Sequence, residues 1–256
     1  ADLRPGTYIF SGEVSYAQVS AELKRGRSEA NTVNVTIPEG KTVPQIADIW
    51  EEAGLCTADE FLRCCAELDI PYDYIPAGED FNQLEGFLFP ETYNVLITWG
   101  AEDLVKLQLA QFDKNWTAER QKLADEQGLT VKEIVTLASL IEREARVADE
   151  RPLIASVIYN RLAIGQKLQI DATIQYILGE QVDRVLYKDL EIESPYNTYL
   201  NAGLPPGAIC SPGLSCIDAA LNPAETDYFY YRTKNDGSGE HNFAHTYEEH
   251  LQNANK

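Results

Sequence analysis

Methionine is absent from all 256 residues, including position 1, so we expect the sequence to be part of a longer protein. Basic residues are also scarce: 21 lysines and arginines stand against 41 aspartates and glutamates, for a formal net charge of −20. This charge disfavours nucleic acid and anionic lipid as main partners, because both are bound by basic surfaces. No apolar run is long enough to cross a bilayer, and no signal peptide is evident. The composition is that of a globular protein long enough for two domains.

The cysteines and histidines give no pattern of a metal site. The five cysteines cannot all pair within one chain, because their number is odd. Cys210 and Cys216 flank a Pro-Gly turn, where a disulfide and two free thiols are both open. The histidines at positions 241, 245 and 250 do not share one helix face. The sequence therefore predicts neither a metal nor another cofactor.

The first part of the chain, residues 1–96, alternates short strands with helices. Strands are predicted at 7–10 and 33–37, where β-formers alternate or cluster beside turn residues. Thr42 and Thr57 each precede an apolar helical pattern and are predicted to be N-caps. This pattern indicates a small α/β unit.

The second part, residues 97–256, is mainly helical. One long helix is predicted from Ala101 to about Leu123, and Thr130 with Glu133 forms the signature of a capping box for the next. A hairpin is predicted around the Asn-Asp-Gly turn near the end of the chain. Together the two parts predict an α+β fold of two domains, 1–96 and 97–256.

One glutamate stands out on the helix that follows Thr130. Ile134, Ala138 and Ile141 recur at helical spacing, and Glu142 lies on the flank of their apolar stripe. A partly desolvated carboxyl favours its neutral form and can act as a general acid. The alternative is an ordinary surface ion pair with Arg146, four residues later.

Two further carboxylates and one loop are weaker candidates for a site. Glu85 lies in an aromatic loop between the two parts, where it is either a cleft wall or a buried turn residue. Asp171 precedes a short apolar helix and is equally explained as its cap. The loop at 194–199, with Tyr196 and Asn197, suits sugar rings and hydroxyls, and it suits turns equally well.

Several long stretches of the chain resemble one family, the YceG-like endolytic murein transglycosylases. The matching stretches are LEGFLFPETY (84–93), LASLIEREA (137–145), ASVIYNRL (155–162), LQIDATIQY (168–176), SPYNTYLNAGLPPGAICSPG (194–213) and HNFAHTYEEH (241–250). The resemblance covers nearly the whole chain. It implies a LysM-like peptidoglycan-binding unit near residues 35–50, followed by a helical catalytic domain with a C-terminal β-hairpin.

The resemblance assigns the catalytic acid/base to Glu142. It implies cleavage of the MurNAc–GlcNAc bond of nascent glycan strands without water, which leaves anhydro-MurNAc ends. The residues expected to orient the sugars are Glu85, Gln169, Asp171, Tyr196, Asn197 and Thr198. The expected partners are peptidoglycan strands and cell-wall synthesis proteins, at the extracytoplasmic face of a bacterial membrane, where a single anchor is expected in the longer protein.

Two other classes of function stay open at this point. The first is a peptidoglycan hydrolase in which Glu85 or Asp171 supplies the second carboxylate that hydrolysis usually needs. The second is a non-catalytic peptidoglycan-binding protein, in which Glu142 merely pairs with Arg146.

Overall fold

The computed structural model describes residues 14–25, 32–75, 80–179 and 185–253, so the strand predicted at 7–10 lies outside the described residues. The elements are α1 (Tyr16–Arg25), β1 (Thr32–Thr36), α2 (Val43–Glu52), α3 (Ala58–Glu67), β2 (Thr92–Leu96), α4 (Ala101–Asn115), α5 (Ala118–Gln127), α6 (Val131–Glu144), α7 (Arg151–Ala163), α8 (Asp171–Leu178), α9 (Leu214–Leu221), β3 (Tyr230–Thr233), β4 (His241–Ala244) and α10 (Tyr247–Gln252). In the described ranges, no helix is long and apolar enough to cross a membrane.

The N-terminal unit contains a two-stranded antiparallel sheet, β1 with β2, and the helices α2 and α3, which pack on each other. The ring of Trp50 on α2 lies 6.2 Å from that of Tyr93 on β2. Thr42 and Thr57 cap these helices through complete capping boxes, as predicted. The indole of Trp50, on α2, is fully buried and donates to Gln108 on α4 at 3.0 Å. Helix α4 therefore packs on the N-terminal unit, while the LysM-like character of this unit and the division at residue 96 stay predictions.

Helix α6 is the central element of the remaining structure. The predicted capping box of Thr130 and Glu133 is present. Residues 134–141 are buried on every face of the helix, which is typical of a helix surrounded by others. Helices α7, α8 and α9 pack around it. Glu142 is the first residue after this buried run, so the packing of α6 fixes its position.

The mixed α+β class and the C-terminal hairpin, β3 with β4, are confirmed. The prediction of a single helix over 101–123 is wrong. Helix α4 ends before Trp116, and Thr117 caps the new helix α5 by accepting a hydrogen bond from Arg120 N. Cys210 and Cys216 are both buried free thiols, which decides between the two alternatives that the sequence left open.

Candidate active site

The carboxylate of Glu142 is held by hydrogen-bond donors at the start of α9. Its Oε2 accepts from the backbone N–H of Gly213 at 3.0 Å, and Gly213 is the N-cap of α9. The buried thiol of Cys216, in the first turn of α9, lies near Glu142: burial and the charge of Glu142 raise the pKa of this thiol. A helix N-terminus carries partial positive charge and binds carboxylates. Glu142 is half-buried, and the N-terminus of another helix orients its carboxylate.

The surface ion pair with Arg146 is not formed. Among the ion pairs of the described residues, none joins Glu142 to Arg146. The aliphatic part of Arg146 lies instead over Gly239, where an added Cβ would meet its Cβ at 3.3 Å. The charge of Glu142 is therefore not neutralised by the partner that the helical spacing suggested.

A second carboxylate, Glu39, lies beside Glu142. It comes from the turn between β1 and α2, and its carboxylate rests against Gly213, where an added Cβ would lie 1.9 Å from Oε1. Burial and the charge of Glu142 raise the pKa of Glu39, while Arg151 opposes the shift. The structure therefore brings together two carboxylates from distant parts of the chain.

A cleft of about 470 Å³ lies next to this centre. Its walls include Asn82, Glu85, Arg143, Gln175, Tyr176 and Tyr196. Glu142 does not line the cleft, but the next residue, Arg143, does. The Arg143 guanidinium reaches Gly40 O at 3.5 Å and Gln175 Oε1 at 3.3 Å, so it spans the space between the turn of Glu39 and the cleft.

Glu85 is both buried and part of the cleft wall. Both of its oxygens accept from Val43 N, at 3.2 and 3.3 Å, and Tyr176 donates to Oε2 at 3.4 Å. Burial raises the pKa of Glu85 to about 8, against the hydrogen bonds from Val43 and Tyr176 that lower it. The ring of Tyr196 lies 5.0 Å from that of Tyr176. These two rings give the cleft an aromatic wall.

Asn197 and Thr198 belong to the 194–199 loop, and both residues are buried. Asn197 Nδ2 donates to Leu190 O at 3.0 Å and to Ile192 O at 2.7 Å, and Thr198 Oγ1 accepts from Ile170 N at 3.0 Å. Their polar atoms are engaged inside the protein. We therefore propose that they position the loop, in place of the direct sugar contacts expected from the sequence.

Gln169 and Asp171 lie at the exposed edge of the same region. Gln169 is the one non-glycine residue in the described ranges with positive φ, at 51°, and its N–H donates to Thr198 O at 3.1 Å. Such strained backbone is common at functional sites. Asp171 is the first residue of α8 rather than its cap, which is Ile170, and its carboxylate accepts from Tyr199 Oη. The capping interpretation of Asp171 is therefore wrong.

Comparison with known proteins decides the family of the chain. The sequence model of the YceG-like family matches residues 1–256. The chain belongs to the YceG-like family. A yceG-like protein of Listeria monocytogenes has a similar crystal structure, with a TM-score of 0.76 and 33% identity over 98% of this chain and 85% of that one.

Two curated relatives carry the name endolytic murein transglycosylase. The Bacillus subtilis protein is 46% identical over 169 residues, which are 65% of this chain and 46% of the relative. The Streptococcus pneumoniae protein is 32% identical over an alignment of 258 residues including gaps, which covers 90% of this chain and 46% of the relative. This YceG-like chain thus spans about half the length of the curated relatives it matches.

The YceG-like site contains polar residues that the sequence did not reveal. Glu39 is one of them, because no local pattern in the sequence links it to Glu142. Glu144 is also engaged: its Oε2 accepts from Tyr231 Oη at 2.8 Å, and burial raises its pKa. In the described ranges, no group of three or more His, Cys, Asp or Glu side chains is arranged to hold a metal ion.

Replacing Asn197 by alanine is expected to destabilise this YceG-like protein by about 2–3 kcal/mol. The substitution removes the donors of two backbone carbonyls in a fully buried position, and unsatisfied buried groups cost about 1–3 kcal/mol each. Urea denaturation measures the loss. Asn201→Ala is the control, because Asn201 also donates to loop carbonyls but is exposed, so water replaces it. Equal stability of the two variants would contradict the buried role of Asn197.

Proposed function

We propose that this chain is the catalytic part of an endolytic murein transglycosylase that cleaves the MurNAc–GlcNAc bond of peptidoglycan strands. The observation that carries the proposal is the carboxylate of Glu142, which is oriented by the backbone N–H of Gly213 and does not form the ion pair with Arg146. The names of the relatives from Bacillus subtilis and Streptococcus pneumoniae support the same activity.

Glu142 serves as both acid and base in the proposed reaction. Its proton passes to the glycosidic oxygen as the bond from that oxygen to muramic C1 breaks. The resulting carboxylate then takes the proton of the muramic C6 hydroxyl, whose oxygen bonds to C1. The acid is thereby restored, no water is consumed, and the product has a 1,6-anhydro-MurNAc end.

The cleft beside Glu142 is the proposed site for the glycan strand. The rings of Tyr176 and Tyr196 offer apolar faces for pyranose rings, and Arg143 offers a charged donor. Gln169 and Asp171 are proposed to contact sugar hydroxyls at the exposed edge. Glu85 lies on the wall of the cleft, and its protonated form is proposed to bind the glycan strand.

The substrate sets the proposed location and partners of the protein. Peptidoglycan lies outside the cytoplasm, so we infer that the chain acts at the extracytoplasmic face of the membrane. A membrane anchor in the longer protein, a LysM-like role for the N-terminal unit and contacts with cell-wall synthesis proteins remain parts of this proposal.

A peptidoglycan hydrolase is the second candidate, and Glu39 is the observation that favours it. Hydrolysis usually needs two carboxylates, and the structure brings Glu39, rather than Glu85 or Asp171, next to Glu142. Against it, a tethered C6 hydroxyl has an effective molarity of about 10⁵–10⁸ M in well-oriented cases, far above that of water. We therefore favour the lyase.

Product analysis separates the two candidates. Purified glycan strands digested in ¹⁸O-labelled water are expected to give muramic ends without a reducing group and without label. Mass spectrometry of the end measures this directly. A product heavier by one water, with labelled oxygen at C1, would establish hydrolysis and refute the lyase. Glu142→Gln protein is the control for contaminating glycosidases and should give neither product.

A further inference from the structure

The turn that contains Glu39 is fixed to the loop that precedes α9. Gly40 N donates to Ser211 O at 2.8 Å, and Ser211 N donates to Lys41 O at 2.8 Å, which forms an isolated antiparallel bridge. The turn also reaches Glu142 itself, because an added Cβ on Gly40 would lie 3.7 Å from Glu142 Cγ. Backbone hydrogen bonds therefore hold this part of the N-terminal unit against the proposed acid.

Gly213 provides the space for the carboxylate of Glu39. Its φ of −73° is open to any residue, so the backbone does not require glycine here. An added Cβ, however, would lie 1.9 Å from Glu39 Oε1 and 2.1 Å from Glu39 Cδ. The same glycine donates its N–H to Glu142 at 3.0 Å. The two carboxylates thus flank one residue.

The charged and titratable groups around Glu39 come from each neighbouring helix. Glu142 faces it from α6, Arg151 from α7 and Cys216 from α9. Burial and, after it, Glu142 raise the pKa of Glu39, and Arg151 lowers it. Like charges held side by side disfavour each other, so removing one of them changes the electrostatic environment of the other.

We propose that Glu39 is a positioning residue of the active centre, which acts through Glu142 and makes the N-terminal unit part of the catalytic site. This inference rests on the proposed function of Glu142. The negative charge of Glu39 lies beside Glu142 and disfavours a second negative charge there, so its removal is expected to change the pH dependence of the proposed reaction.

The pH dependence of glycan cleavage by the full chain tests this role. In Glu39→Gln, the alkaline limb of the kcat/KM profile is expected to move to lower pH by about 0.5–1 unit, the size expected for two nearby, partly solvated charges. At pH values above that limb kcat should fall several-fold, while KM should stay unchanged. Glu39→Asp should recover part of the shift. Glu52→Gln, an equal charge change at an exposed position of α2, should leave the limb in place.

A second variant tests the geometry without changing any charge. In Gly213→Ala, the new methyl group displaces the carboxylate of Glu39, so the limb should move in the same direction as in Glu39→Gln. An unmoved limb in Glu39→Gln, or an equal shift in Glu52→Gln, would overturn the role of Glu39 while leaving Glu142 as the acid. An inactive wild-type chain, or full turnover in Glu142→Gln, would refute the proposed function and this role together.

Discussion

Replacing Glu142 by glutamine is expected to lower kcat by about 10²–10⁴-fold, the contribution typical of a general acid/base. The amide has nearly the same shape as the carboxyl and its oxygen still accepts from Gly213 N–H. It cannot release a proton to the glycosidic oxygen or take one from the C6 hydroxyl. Both halves of the proposed reaction are therefore lost.

The measurement is the rate of product release from purified glycan strands, corrected for folded protein. Circular dichroism and thermal unfolding should match the wild type, since the substitution removes no buried packing. Glu126→Gln is the control, because Glu126 forms only an exposed ion pair with Lys122 on α5. Near-normal turnover in folded Glu142→Gln protein would remove Glu142 from the mechanism.

Replacing Gly86 by alanine is expected to destabilise the protein by about 2–5 kcal/mol. Gly86 has a φ of 89°, which alone costs an alanine about 1–2 kcal/mol. Its Cβ would also lie 2.5 Å from Val135 Cγ1 and 2.6 Å from Ala208 Cβ, and overpacking of a core adds about 1–3 kcal/mol. The added methyl group would push the Glu85 loop away from α6.

Gly54→Ala separates the two causes. Gly54 has a similar φ of 73° and nothing within 4 Å of an added Cβ, so its variant should lose only the backbone penalty of about 1–2 kcal/mol. Denaturant unfolding gives the free energy of unfolding of both variants. The difference between their two losses measures the clash with Val135 and Ala208. Equal losses would show that Gly86 does not pack tightly against Val135.

Local signals in the sequence were sufficient for the helix starts and for the main candidate acid. Thr42 and Thr130 begin their helices as predicted, because a capping box involves residues only three positions apart. The apolar run before Glu142 likewise predicted a buried helix whose end presents one carboxylate. These features depend on the chain within one or two turns.

The rest of the site depends on contacts between distant segments, which no local pattern specifies. Arg143 and Gly40 are 103 positions apart, and Gly213 and Glu142 are 71 apart. Asn197 was expected to face sugar, since its residue type suits both a ligand and a turn, and only burial distinguishes the two roles. The preference of aspartate for helix N-caps gave the wrong role for Asp171, whose carboxylate accepts a hydrogen bond from Tyr199 Oη instead.

The bridge between Lys41 and Ser211 has a consequence for the order in which the protein matures. It joins segments near opposite ends of the chain, and closing so long a loop is entropically unfavourable until the intervening helices have packed. Until that bridge closes, the N-terminal turn is not held beside Glu142, so the centre assigned by the proposed function would be completed late in folding.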